Sequence, residues 1–317
     1  MSADPRADAA PRRDLVDPAA VIEIPQRVRE VVGEGHPDGP EWLERLPRLI
    51  EACLDDWELT LGETFPSTFS YVARVVRRDG ARAVLKLTLA EYPGAGEAEA
   101  LQRWAGDSAV LALESSRERS ALLLELVEPG EPACDLPVAE AFSVALDIAL
   151  RLWQPLEEGH EFRPLGDHFA EMLPLSEEDY RLVPEACDRA LYEEALAVYA
   201  SPRDEGWLIH GDLHTANIRS SRRQPWLAID PGAPAGEREY ELGWLLIDPP
   251  RAGHERIPDR AELGRRLDLL ARGSGLDGER IRSWALARAV TQGVFAARVG
   301  AQTSARHMLG CAEALRR

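Results

Sequence analysis

Lysine and asparagine are almost missing from this 317-residue chain: each occurs once, as Lys86 and Asn217. Arginine carries the rest of the basic charge, so these two positions are ones where a compact ammonium and an amide oxygen do what guanidinium and carboxylate cannot. Cysteine is scarce too. Cys53, Cys134, Cys187 and Cys311 are scattered with no C-x-x-C pair, which excludes a zinc knuckle and a disulfide scaffold and points to reduced thiols. No apolar run approaches the ~20 residues that span a bilayer, and residues 1–18 lack the apolar core of a secretion signal. The expectation is a disordered tail, no membrane association and a cytoplasmic protein, monomeric or weakly dimeric. Positive charge is outnumbered, 37 Lys and Arg against 55 Asp and Glu, for a net charge of -18. That balance excludes nucleic acid as a partner. It suits a cationic small molecule drawn to a carboxylate-lined cleft, although solvated surface acids produce the same total.

At this length the chain exceeds the common size of one compact unit, so a bilobal or two-domain arrangement is expected. Apolar residues at Leu43, Leu46, Leu49, Ile50, Cys53 and Leu54 recur with helical spacing over residues 42–57. Segments 69–76 and 83–87 flank the turn signal Asp79-Gly80 and predict a β-hairpin with Lys86 on its second strand. A helix over 94–104 and short strands at 109–111 and 121–127 complete a small α+β lobe. The cluster at 128–132, with two prolines and a glycine, reads as a hinge. Beyond it, helices are predicted near 138–153, 185–199, 261–272 and 280–298, with an irregular insertion at 171–179. Residues 1–18 are thus the tail, 19–128 a first lobe with a sheet and a helix, and 129–317 a second, mainly helical lobe.

Two polar loops follow short apolar runs in that second lobe. Residues 210–217 read His-Gly-Asp-Leu-His-Thr-Ala-Asn, and the run Trp-Leu-Ala-Ile at 226–229 delivers Asp230. Phosphoryl transfer from a nucleotide needs a cation on the phosphates, ligands for the bridging metal, and a carboxylate that orients the acceptor hydroxyl. Lys86 is the expected phosphate ligand, with Glu97 on the next helix as its ion-pair partner, or Glu99 two residues on. Asp212 is the expected base or orienting carboxylate, and Asn217 and Asp230 the magnesium ligands. The order Lys, Glu, Asp, Asn, Asp and the five-residue step from Asp212 to Asn217 are those of protein kinases. The loop Gly-Glu-Thr-Phe-Pro-Ser-Thr-Phe-Ser at 62–70 would cover the nucleotide, ATP or GTP, through backbone N–H groups and Ser67, Thr68 or Ser70.

Residues 210–217 resemble the H-G-D-x-H-x-x-N loop of the aminoglycoside phosphotransferase superfamily. Within it, the stretch from Glu97 to Val110 and Pro-Trp-Leu-Ala-Ile-Asp-Pro at 225–231 are similar to the streptomycin 6-kinase / hydroxyurea phosphotransferase family. The opening Ile24-Pro25, the helix after Trp42 and the hairpin ending Val-Leu-Lys-Leu at 84–87 also fit, so the similarity runs from about 24 to about 250. It implies a bilobal protein-kinase-like fold, ATP and magnesium as cofactors, and a small-molecule antibiotic as acceptor, for resistance or biosynthesis. Two departures stand out: Gly232 where relatives carry lysine, and Tyr240-Glu241-Leu242 where they carry Tyr or Phe-Asp-Leu.

Alternatives follow from the same residues. A kinase of a non-antibiotic metabolite would use the identical core. A metal-dependent hydrolase would take His210, Asp212 and His214 from one strand face as ligands, but it leaves Lys86 and Asn217 without a purpose. Glu237, Glu239 and Glu241 after the metal loop, with Glu171, Glu177, Glu178 and Asp179, are the candidate acidic lining for a cationic acceptor, or else solvated faces.

Overall fold

The computed structural model describes residues 22–89, 96–201, 203, 206–248 and 257–316. The tail read at 1–18 and the first two residues of the helix read at 94–104 lie outside them. The chain divides into two compact units, Met1–Tyr92 with Ala112–Leu126, and Pro93–Leu111 with Val127–Arg317.

The first unit is built by period-2 burial against two amphipathic helices. Helices α1 (Gln26–Gly35) and α2 (Gly39–Asp56) precede strands β1 (Leu59–Thr64), β2 (Ser70–Arg77), β3 (Arg82–Thr88), β4 (Ala112–Ser116) and β5 (Ala121–Glu125). These form an antiparallel sheet in the order β1-β2-β3-β5-β4. Tyr71, Ala73 and Val75 of β2, Ala83, Leu85 and Leu87 of β3, and Ala121 and Leu123 of β5 share one buried cluster with Val28, Val32, Leu46, Ile50 and Cys53 of the helices. Truncating a leucine or isoleucine in such a core costs about 2–5 kcal/mol. Alternation then puts Lys86 on the other face of β3, opposite Val72 and Leu122. The hairpin turn is the expected one: Gly80 takes a φ of 83° and the Ala81 amide donates to Asp79 Oδ1 at 2.9 Å.

The second unit begins with α3 (Glu97–Trp104), which the sequence reading grouped with the first lobe. Trp104 explains the difference. Its indole N–H donates to the Leu152 carbonyl at 2.8 Å and its ring stacks on His210 at 6.3 Å, which ties α3 to the unit that holds the 210–217 loop. There follow β6 (Pro129–Pro132), α4 (Val138–Leu152), β7 (Gln154–Pro155), α5 (Leu165–Leu182), α6 (Arg189–Tyr199), β8 (Trp207–Leu208), β9 (Ile218–Ser221), β10 (Trp226–Ala228), β11 (Ala235–Gly236), α7 (Arg238–Ile247), α8 (Arg260–Ser274), α9 (Gly278–Arg298) and α10 (Gln302–Leu315).

Two three-stranded sheets, β10-β9-β6 and β11-β8-β7, hold the loops at their ends. The segment read as a hinge at 128–132 is largely β6, paired with β9. The segment read as an irregular insertion at 171–179 lies inside α5, because Phe169, Ser176 and Tyr180 recur on a buried face that outweighs Pro174. The centre is aromatic: Trp284 of α9, with no exposed surface, meets Phe169, Tyr199 and Tyr240 at ring distances of 5.3, 5.5 and 5.2 Å. Gly243 lets α7 and α9 approach, since a Cβ there would stand 2.6 Å from that of Trp284. Among the described residues no helix is long and apolar enough to cross a membrane, and all four cysteines are free.

Candidate active site

The loop at 210–217 and the loop ending at Asp230 are zippered together by their own backbones. Ile209 N–H donates to the Pro234 carbonyl at 3.2 Å, Ala233 N–H to His210 at 3.0 Å, and Ile229 N–H to Asn217 at 2.9 Å. The fully buried imidazole of His210 adds a bond from Nε2 to the Ile229 carbonyl at 3.1 Å. His210 is therefore a strut between loops. That geometry removes the hydrolase alternative, for the segment is a loop rather than a strand and His210 faces a carbonyl. Among the described residues no group of three or more His, Cys, Asp or Glu side chains is arranged to hold a metal ion.

Asp212 and Asn217 are brought together as their spacing implies. Asn217 Nδ2 donates to the Asp212 carbonyl at 3.1 Å and more weakly to its Oδ2 at 3.4 Å, so the amide nitrogen is committed and Oδ1 is left to act as an acceptor or ligand. Asp212 keeps 46% of its side-chain surface accessible, yet protein atoms crowd it enough that desolvation raises its pKa above the usual carboxylate range. His214, with Nε2 3.8 Å from Asp212 Oδ2, and Arg288 oppose that shift, whereas Asp230 and Asp248 reinforce it. Asp230 is exposed and takes a φ of 61°, a left-handed conformation that turns its carboxylate out of the strand direction. Gly211 has a φ of 81°, and a Cβ there would stand 2.4 Å from Pro234. Only glycine allows the two loops this approach.

Lys86 and Glu97 belong to different units, on β3 and at the first turn of α3, and are 7% and 4% exposed. Lys86 is buried as a residue, on a strand paired on both sides rather than at a sheet edge. In the 62–70 loop, between β1 and β2, the Ser67 hydroxyl donates to the Ser70 carbonyl at 2.5 Å. A hydroxyl has one proton to donate, so Ser67 is not a phosphate donor as it stands, which corrects its sequence assignment. Thr68 is partly exposed in the same loop.

Glu237 also requires correction. It is 2% exposed and accepts two bonds from Arg280, at 2.7 and 2.6 Å, one from the Trp284 indole at 3.0 Å and another from the Arg203 amide. Its lone pairs are filled from within the chain, and it lines no acceptor surface. Glu239, in the first turn of α7, stays partly exposed. Of the other acids offered for a cationic acceptor, three are engaged by arginines, Glu171 by Arg163, Glu177 by Arg189 and Asp179 by Arg298, while Glu178 is exposed.

Sequence reading offered Glu241 to the acceptor or to solvent, which its burial corrects, and passed over Asp248; both carboxylates lie beneath the loop. Glu241, wholly buried, accepts from the Gly211 amide and the Trp153 indole, both at 2.7 Å. Asp248 accepts from the Thr215 amide at 2.6 Å and its hydroxyl at 2.7 Å. Both hang from α7, and the signal was there: acids bracketing an otherwise apolar helical run. Burial pushes the Glu241 carboxyl up to about 7 against the pull of those donors. A folded-state pKa above the unfolded one means the native protein binds the extra proton, so stability from this group is full below about 4.5 and declines as pH rises toward 7. Denaturant melts between pH 4.5 and 7 should show that decline, and Glu241→Gln should flatten it; an unchanged slope would refute the assignment.

Comparison with known proteins agrees with this geometry. The family model described as "Aminoglycoside/hydroxyurea antibiotic resistance kinase" matches residues 56–300. A hydroxyurea phosphotransferase of Kitasatospora aureofaciens is 35% identical over 279 residues, 86% of this chain and 79% of that one. A streptomycin 6-kinase of Streptomyces griseus is 32% identical over 307 residues, 93% and 97% of the two chains. Among solved structures, a choline kinase of Streptococcus pneumoniae superposes with a TM-score of 0.54 at 12% identity, covering 86% of this chain and 99% of that one, which shows a kinase-like fold. The chain belongs to the aminoglycoside/hydroxyurea antibiotic resistance kinase family, and it is a phosphotransferase with an alcohol group as acceptor.

Proposed function

We propose that the protein transfers the γ-phosphoryl group of ATP to a hydroxyl of an antibiotic or a related small molecule, with Asp212 as the orienting carboxylate and base. The observation that carries this reading is the pairing of Asp212 with Asn217 in a loop zippered to the one that presents Asp230. In it, the unit with Lys86 and the 62–70 loop serves the nucleotide, and the unit with Asp212 serves chemistry and acceptor. The acceptor oxygen attacks the γ-phosphorus, the bond to the β–γ bridging oxygen breaks, the hydroxyl proton passes to Asp212, and ADP leaves.

Magnesium fits the donor set. The amide oxygen of Asn217 and the exposed carboxylate of Asp230 are hard oxygen ligands, which suit an ion that takes few protein ligands and completes its shell with phosphates and water. When bound, it would neutralise charge on the transferring phosphates. Lys86 would add a compact positive charge there, with Glu97 as its partner. Lys86→Arg keeps that charge but widens it into a planar fork in a buried position, and should lower kcat/KM for the nucleotide by about 10-fold or more. Near-normal nucleotide kinetics in the variant would remove Lys86 from the site.

The acceptor is a hydroxylated small molecule of the kind relatives phosphorylate, streptomycin or hydroxyurea by their names. A strongly cationic acceptor has less support than the net charge suggests, because four of the acids offered to receive it, Glu171, Glu177, Asp179 and Glu237, are held by arginines. The test is a nucleotide-consumption assay of the purified chain against aminoglycosides, nucleoside and cyclic-peptide antibiotics and hydroxyurea, with and without chelation of divalent ions. Acceptor-dependent turnover that chelation and Asp230→Ala both abolish is expected; turnover indifferent to both would overturn the proposal.

A further inference from the structure

Among the described residues of the second unit three arginines are buried, and two have carboxylate partners. Arg280 is paired with Glu237 and Arg266 with Glu262. Arg288, at 7% exposure, has no carboxylate within ion-pairing distance among the described residues. Its guanidinium is clamped between the rings of Tyr240 and Trp244, at 4.5 and 4.2 Å, and Nη1 makes one long hydrogen bond, 3.5 Å, to the Gly211 carbonyl. Aromatic faces hold a cation in place but do not satisfy its N–H groups. The remaining donors have no oxygen partner in the described structure, and none is among the polar atoms sealed from solvent, so they reach the strip of Arg288 surface that stays accessible.

That strip adjoins the reacting carboxylate. Gly211 immediately precedes Asp212, Arg288 is among the charges felt by Asp212, and the Trp244 ring that clamps Arg288 meets the edge of His214, which faces Asp212 Oδ2. A fixed fork of unsatisfied donors, held beside the group that orients the acceptor hydroxyl, is built to receive an oxygen.

The geometry points to Arg288 as the residue that orients the acceptor, donating an N–H to an oxygen carried next to the phosphorylated hydroxyl. This rests on the phosphotransferase reading above and narrows its substrate class to hydroxyl acceptors with a carbonyl or similar hydrogen-bond-accepting oxygen on the neighbouring atom. A site that donates to such an oxygen disfavours an analogue lacking it, because binding then takes the N–H away from water without supplying an acceptor in its place.

The experiment compares two probes that differ in that oxygen, hydroxyurea and N-methylhydroxylamine, as acceptors with magnesium-ATP, using the wild-type chain, Arg288→Gln and Arg288→Lys. Wild type should favour hydroxyurea in kcat/KM by about tenfold or more. Arg288→Gln should bring that ratio to within about threefold, and Arg288→Lys, which keeps a cation between the rings and guards against a misfolded glutamine variant, should fall between. Nucleotide turnover by wild type without the carbonyl preference, or a preference undiminished in Arg288→Lys, overturns the role of Arg288 and leaves the kinase standing. Absence of magnesium-dependent nucleotide turnover with every acceptor overturns the kinase reading, and this inference with it.

Discussion

Asp212→Asn is expected to retain nucleotide binding and to lose turnover by about 10²-fold or more, the usual consequence of removing a general base. The amide is nearly isosteric and can still accept a bond from Asn217, so the loop geometry should persist. What disappears is the proton acceptor. Crowding by protein and the nearby charges of Asp230 and Asp248 hold the carboxyl above its ordinary pKa, which makes it a better base than a solvated aspartate, while His214 and Arg288 keep it from protonating too readily. Single-turnover kinetics separate the effects: binding of a nucleotide analogue should be preserved, and the chemical step slowed. Turnover within a few-fold of wild type would remove Asp212 from the chemistry and weaken the phosphotransfer mechanism as drawn.

Much of the site was legible because its parts are local in sequence. The step from Asp212 to Asn217 spans one loop, so the chain alone can bring the carboxylate and the amide together, and the structure does so. Lys86 was legible for another reason: strict alternation on a strand decides its face, and β2 and β5 hold that strand in register. Helices α8 and α9, which lie beyond the end of the resemblance at about 250, fall within the family match, which extends to residue 300. Arg288 apart, what they contribute is packing, with Trp284 at the centre, and apolar packing has no short motif to read.

What escaped the sequence was long-range partnership. Glu241 lies thirty residues from the amide it holds, and Arg280 forty-three from the carboxylate it neutralises. Charge totals cannot reveal such pairings, which is why an excess of acid looked like a lure for a cation. The two departures from the family pattern read differently once placed. Glu241, where the family resemblance implied an aspartate, reaches both the Gly211 amide and the Trp153 indole, so it supports the loop from beneath. Gly232, in place of a lysine, lies near the His210 carbonyl, where a Cβ would stand 3.7 Å away, so space alone does not demand glycine.

Glu237→Ala is expected to cost about 3–5 kcal/mol of stability, the penalty for leaving a buried charge without its partner. Arg280, 6% exposed, would keep its cation–π contact with Trp284 at 4.6 Å and its bond to the Ser201 carbonyl at 2.8 Å, but would lose both charge-assisted bonds to the carboxylate. The Trp284 indole and the Arg203 amide would lose an acceptor in the same step. Because α9 carries Arg280 and the aromatic centre together, the damage should appear as a lower denaturation midpoint rather than as a selective rise in acceptor KM. Restoring neutrality with Glu237→Gln and Arg280→Met together should recover part of the loss, since a buried pair removed as a whole is far less costly than one half removed. A single variant of normal stability whose only defect is weak acceptor binding would reverse the conclusion and return Glu237 to the acceptor surface.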